Sequence, residues 1–233
     1  MNKNNAPLND QISVNRFRNW TNLHAILILS GTLLSFSTHS LLPLVLSGNF
    51  SFLFLLLRER NQWTPTTRFG LGNLLTFSRL LLISVTALFY AEIPNTFIAI
   101  LGLIILIADG LDGLLARNRN ESSMFGEYFD KETDAYFLHI WVMMAVMKSL
   151  LWPWTVILGL LRYLFIVYLF ILGEREKKER RFKKGRYIFV YVICVLLATF
   201  LPMPWLYKPA VIVALILLLY SFGRDLIWIH SKN

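Results

Sequence analysis

The sequence predicts an all-α, polytopic membrane helical bundle, and three observations carry that expectation. Of the 233 residues, 56% are hydrophobic and only 16% are charged, with a mean hydropathy of +0.54. The apolar residues fall in near-continuous runs separated by short polar breaks, the pattern of segments surrounded by hydrocarbon. Strand-like alternation is absent, which speaks against a transmembrane barrel.

Taken in order, residues 1–22 read as a polar tail. Met1 to Trp20 is rich in Asn and is expected to be loose or to lie on the membrane surface. Residues 23–57 hold two extra apolar segments, Leu23 to Phe36 and Leu41 to Leu57, with a break around His39. Each is marginal for a hydrocarbon core of roughly 30 Å at about 1.5 Å per residue, so two spans or one re-entrant hairpin both fit. The first does not read as a secretory signal, because no Ala-x-Ala-like site follows it. Residues 58–72 form a basic connector containing Pro65, expected along the interface.

Residues 73–233 are read as a six-helix core. Its segments run from about Leu74 to Tyr90, Thr96 to Arg117, Phe129 to Leu150, Trp154 to Leu172, Tyr187 to Leu201 and Ala210 to Ile229. Proline and tryptophan mark several breaks, at Pro94, Trp152-Pro153-Trp154 and Pro202 to Trp205, as suits interfacial helix ends. The single Cys194 excludes an intrachain disulfide framework.

The formal charge of +9 is topological rather than a nucleic-acid footprint, because the basic residues gather at the ends of apolar runs. Alternating the segments places Lys3, Arg16, Arg18, Arg58, Arg60, Arg68, Arg117, Arg119, the run Arg175 to Arg186 and Arg224 on one side. The other side keeps little more than Lys148 and Lys208. The positive-inside rule then makes the first side, with both termini, cytoplasmic. The basic run fixes topology and attracts anionic lipid.

Four aspartates stand out against this background: Asp109, Asp112, Asp130 and Asp134. An ionised carboxylate beside apolar sequence is costly unless it meets a counter-charge or serves a function. On helices, the first pair is three residues apart and the second four, so each pair shares one face. The short polar stretch between the pairs makes the two helices antiparallel neighbours, so all four carboxylates can converge. Thirteen residues, Thr96 to Ala108, precede the first aspartate. That is roughly 20 Å of helix, which puts the site near the cytoplasmic head groups.

Hard oxygen donors of this kind suit Mg²⁺ or Mn²⁺, and four of them suffice for two ions if water and phosphate complete the shells. Two such ions would neutralise a diphosphate during in-line displacement, which points to phosphoryl-type transfer. Arg117 has the planar fork that meets phosphate. Other readings of the cluster are a cation channel, a transport protein, a proton relay, or structural pairing with Arg79 and Arg162. Gly110 reads as a packing site. Lys131 and Glu132 read equally as solvated turn residues or site residues, and His139 reads as a core histidine.

The order Asp109, Asp112, Gly113, Ala116, Arg117, Gly126, Asp130, Asp134 resembles the full signature of the CDP-alcohol phosphotransferase family, D-x2-D-G-x2-A-R-x8-G-x3-D-x3-D. Asn73, Thr76 and Arg79 resemble its upstream element, with Gly72 where the family usually has proline. The resemblance implies a membrane enzyme that cleaves a CDP-alcohol and hands the phospho-alcohol to a hydroxyl acceptor, releasing CMP. It implies Asp109, Asp112, Asp130 and Asp134 as metal ligands, with Asp134 also the general base. Gly113, Arg117, Ser123, Gly126, Asn73 and Thr76 would line the CDP pocket, although Asn73 and Thr76 equally suit helix-start capping. Arg162, within an apolar segment, would bind a phosphate on the acceptor, with Lys131 beside it, or else form a structural pair with an aspartate or Glu127. The implied partners are a CDP-alcohol lipid donor, a small alcohol acceptor, membrane lipids and, as in many members, a second copy of the chain.

Overall fold

The computed structural model describes residues 8–118, 121–172 and 183–230, and all of their regular structure is helical. The helices are α1 (Leu8–Thr38), α2 (Leu42–Arg58), α3 (Leu71–Leu88), α4 (Asn95–Asn118), α5 (Met124–Met147), α6 (Ile157–Ile171), α7 (Lys183–Ala198) and α8 (Pro204–His230). Short 3₁₀ turns at Arg60–Gln62 and Pro153–Val156 complete the set.

Local chemistry sets the boundaries. His39 adopts a left-handed conformation (φ 51°) between α1 and α2, and a proline opens the first turn of α2, where its missing N–H costs nothing. Gly70, at φ 77°, turns the chain into α3. The first amide of that helix, Leu71 N–H, donates to the Glu121 carboxylate at 2.9 Å. Ser123 caps α5 by accepting from Gly126 N–H at 3.0 Å.

Helix α5 is the axis of the fold. From Ala135 to Val146 it is buried all round, as a helix apolar on every face must be when other helices surround it. Neighbours α1, α3, α6 and α7 pack against it, while α4 lies on α3 and α8 on α7.

The outer faces are apolar too. On α2, Leu46, Phe50, Leu53 and Leu57 are exposed at helical spacing, as are Ile100, Leu103, Ile104 and Ile107 on α4. Contiguous stripes of this size suit lipid rather than water. Among the described residues, three helical stretches are long and apolar enough to cross a membrane: Leu71–Leu88, Pro153–Ile171 and Pro204–Arg224. Leu42–Arg58, Asn95–Gly110 and Tyr187–Ala198 are shorter apolar helices.

The amino-terminal stretch departs from the sequence expectation. Residues from Leu8 onward belong to a single 31-residue helix, and Phe17 and Trp20 are 1% and 2% exposed. Average polarity hid a stripe: Phe17, Trp20, Thr21 and His24 recur at helical spacing and are all buried. Trp20 Nε1–H donates to the Ser51 carbonyl at 3.0 Å, and His24 Nδ1 lies 2.9 Å from the Ser51 hydroxyl. The α1–α2 hairpin is tied to the remaining helices by Asn49 with Ser84 and by Thr32 with His139, at 2.9 and 2.8 Å. The basic run after Glu174 lies largely outside the described residues.

Candidate active site

Three helices deliver the site. Helix α4 presents Asp109, α5 presents Asp130 and Asp134 one turn apart, and α3 presents Arg79. One oxygen from each of the three carboxylates lies within 4.8 Å of the others. The Arg79 guanidinium, 2% exposed, is 3.0 Å from Asp109 and 2.9 Å from Asp130, and it also donates to Asp134. The carboxylates are more open than the arginine, at 24% to 38% exposed. Arg79 therefore holds the acids together from behind while their other edges face outward.

Of the two structural pairings weighed for the aspartates, the one with Arg79 is present among the described residues. Arg162 on α6 donates through Nε to Glu132 Oε2 at 3.2 Å and through a terminal nitrogen to Glu132 Oε1. Glu132 is fully buried, which overturns its reading as a solvated turn residue; Glu127, the alternative partner, is exposed. The available signal was reciprocal: an arginine inside an apolar segment requires an anion, and Glu132 opens the next apolar stretch of α5. His139 is a core histidine, fully buried on Thr32.

Around the first turn of α5, Asn73, Ser123 and Gly126 are brought together. Asn73 Nδ2 donates to the carbonyls of Trp63 and Phe69 at 2.9 and 2.6 Å, and the Ser123 hydroxyl donates to the same Trp63 carbonyl at 2.7 Å. A Cβ on Gly126 would sit 2.9 Å from Asn73 Oδ1, so only glycine leaves that amide undisturbed. Thr76 donates to the Gly72 carbonyl of its own helix at 3.2 Å. Asp112, Gly113 and Arg117 continue α4, but positions 111–120 lie outside the part whose side chains the structure describes.

A cavity of about 320 Å³ adjoins the acid cluster at Asp134. Lys131, Asp134 and Leu138 line it from α5, Arg162 from α6, Phe189 from α7 and Phe222 from α8. The α5 residues recur at helical spacing, so one face of that helix runs from the acid cluster down the cavity wall.

A family model for CDP-alcohol phosphatidyltransferases matches residues 69–222, from just before α3 into α8. The chain belongs to the CDP-alcohol phosphatidyltransferase family. Among curated proteins and solved structures, no significant match was found. Membership makes the protein a transferase of phospholipid synthesis that acts with a CDP-alcohol donor, an alcohol acceptor and a divalent metal. Together with the three long apolar helices, it identifies an integral membrane protein. The residues fit the metal: three hard carboxylate donors from two helices converge on one point, the donor type that Mg²⁺ and Mn²⁺ prefer. The α1–α2 hairpin lies outside the matched region.

Proposed function

We propose that the protein is a phosphatidyltransferase that takes CDP-diacylglycerol as donor, transfers its phosphatidyl group to a hydroxyl acceptor and releases CMP. The observation that carries this reading is the convergence of Asp109, Asp130 and Asp134 beside a cavity that opens onto Asp134. These three, with Asp112 from the same motif, would hold two Mg²⁺ or Mn²⁺ ions. Such ions supply charge neutralisation of the diphosphate and of the oxygens that enter and leave.

This chain's own groups divide the remaining work. Asp134 belongs both to the acid cluster and to the cavity wall, so it is placed to take the proton from an acceptor hydroxyl. That hydroxyl oxygen forms a bond to the phosphatidyl phosphorus as the bond to the bridging oxygen breaks, and CMP departs with the electron pair. Arg79 orients the Asp130 and Asp134 carboxylates so that this geometry is set before substrate arrives. Gly113, Arg117, Ser123 and Gly126, with Asn73 and Thr76, line the cytidine diphosphate side in this reading. Arg162 and Lys131 line the acceptor side. The one-sided distribution of basic residues supports a site that faces the cytoplasm.

A second family chemistry moves phosphocholine or phosphoethanolamine from its CDP ester to diacylglycerol. Labelled CDP-diacylglycerol supplied to the purified protein with Mg²⁺ or Mn²⁺ tests the choice. CMP release that depends on an added small alcohol is the expected result. Release only from CDP-choline or CDP-ethanolamine, dependent on diacylglycerol, assigns the second chemistry. Cation transport without CMP release from any donor rules out both.

A further inference from the structure

The acceptor cavity is charged in an unusual way. Its described lining carries the cations Lys131 and Arg162 and the carboxylate Asp134; apart from Ser221, all its other described residues are glycine or apolar. The Arg162 charge is already met by Glu132, which takes two guanidinium N–H donors and is fully buried. The pair is walled in from behind. Tyr163, next in sequence to Arg162, is fully buried against His24 of α1, with ring centroids 5.9 Å apart. Glu132 itself has no exposed surface, so no water contact replaces its arginine.

We infer that Glu132 determines acceptor specificity, and that the acceptor is an alcohol without net charge rather than a phosphorylated alcohol; this rests on the transferase reading of the site. A phosphomonoester brings close to two negative charges. Bidentate recognition of it takes a guanidinium fork that can swing onto the phosphate, and withdrawing Arg162 would strand a buried carboxylate, which is strongly unfavourable. Among the described residues, the Arg162 charge is matched by Glu132, and Lys131 shares the cavity wall with Asp134. An uncharged or zwitterionic alcohol needs only hydrogen bonds from Lys131 and the guanidinium edge, with its carbon skeleton against the apolar wall.

The test compares matched acceptors with the full-length protein, labelled CDP-diacylglycerol and Mg²⁺: glycerol against glycerol 3-phosphate, inositol against inositol phosphate, and serine. The unphosphorylated member should be favoured at least ten-fold in kcat/KM. Glu132→Gln keeps the shape and one acceptor oxygen but removes the charge. It should shift the ratio at least ten-fold toward the phosphorylated acceptor through the acceptor KM, with the donor KM unmoved, while Glu132→Asp should keep the wild-type ratio. Without donor, glycerol 3-phosphate should raise the melting temperature of the Gln variant and leave that of the wild type in place. A wild-type preference for the phosphorylated acceptor, or an unchanged ratio in Glu132→Gln, overturns the inference and leaves the transferase reading intact. Should the Gln variant fail to fold, the wild-type ratio decides alone. Turnover of CDP-choline with diacylglycerol supports the inference, because that acceptor is uncharged, while reassigning the donor. CMP release with no acceptor at all overturns both readings together.

Discussion

Two of the buried polar regions in this bundle differ in kind, one where the α1–α2 hairpin meets α3 and α5 and one where α3, α4 and α5 meet. At the hairpin seam the polar contacts are pairwise and between uncharged groups: Trp20 with the Ser51 carbonyl, His24 with the Ser51 hydroxyl, Asn49 with Ser84, Thr32 with His139. At the acid cluster, three carboxylates share the Arg79 guanidinium. The first arrangement is what stability demands of polar groups in a packed interior. The second leaves acids in excess among the described residues, and such an excess is tolerable when further positive charge belongs to the working state. At the seam the polar contacts serve assembly, and at the cluster the excess of acid serves chemistry.

The largest effect that would sharpen this contrast comes from Asp134→Asn. Asparagine keeps one oxygen for Arg79 but cannot take a proton from the acceptor hydroxyl. CMP release should fall by about 10³-fold or more, within the usual range for loss of a general base. Size-exclusion behaviour and melting temperature should stay close to wild type. Unchanged turnover would move the base elsewhere and dissolve the distinction between the two regions.

Arg79→Met comes next, because it strips the shared cation from three converging acids. Removing one partner from a buried charge cluster typically destabilises by about 3–5 kcal/mol. The informative measurement is thermal melting with and without Mg²⁺ or Mn²⁺. Divalent metal should raise the melting temperature of Arg79→Met by more than that of wild type, since the ion would then be the chief counter-charge. An equal rise in both would mean that the acids do not share one electrostatic site.

How much of this was legible in the sequence follows the same division. The aspartate spacing announced convergence because helical periodicity turns a three- or four-residue interval into a shared face, and Asp109, Asp130 and Asp134 do meet. The break at His39 was legible from the interruption in apolar residues. Helical structure from Leu8 was not, because the polar residues of that stretch outweigh Phe17 and Trp20 in any average, and only the partner helix reveals which face is covered. The Glu132–Arg162 pair was half legible. Arg162 was seen to need an anion, but Glu132 lies in a charged cluster where sequence does not say which acid turns inward. The resemblance put Ser123 and Asn73 at the CDP pocket, with Asn73 equally suited to capping a helix start; their hydrogen bonds run to the connector carbonyls of Trp63 and Phe69. A single chain offers no sign of which backbone carbonyl a small polar side chain will find.

The smallest effect tests the hairpin seam, and its direction follows from counting protons. The Thr32 hydroxyl donates its one hydrogen to the Ile28 carbonyl at 2.7 Å, so toward His139 Nε2, 2.8 Å away, it accepts. His139 is then the Nε2–H tautomer, with the bare Nδ1 turned toward Gly159, where an added Cβ would lie 2.5 Å from it. Thr32→Val keeps the shape of the side chain and leaves the imidazole N–H buried without an acceptor, a change that should cost about 1–3 kcal/mol. Thr32→Ser restores the acceptor and should recover most of the loss in a melting experiment. Because this seam carries no reacting group, the kcat and both KM values of Thr32→Val should match those of wild type at temperatures well below its melting point. A change in acceptor KM would instead show that the hairpin, through α5 and α6, helps to shape the cavity it backs.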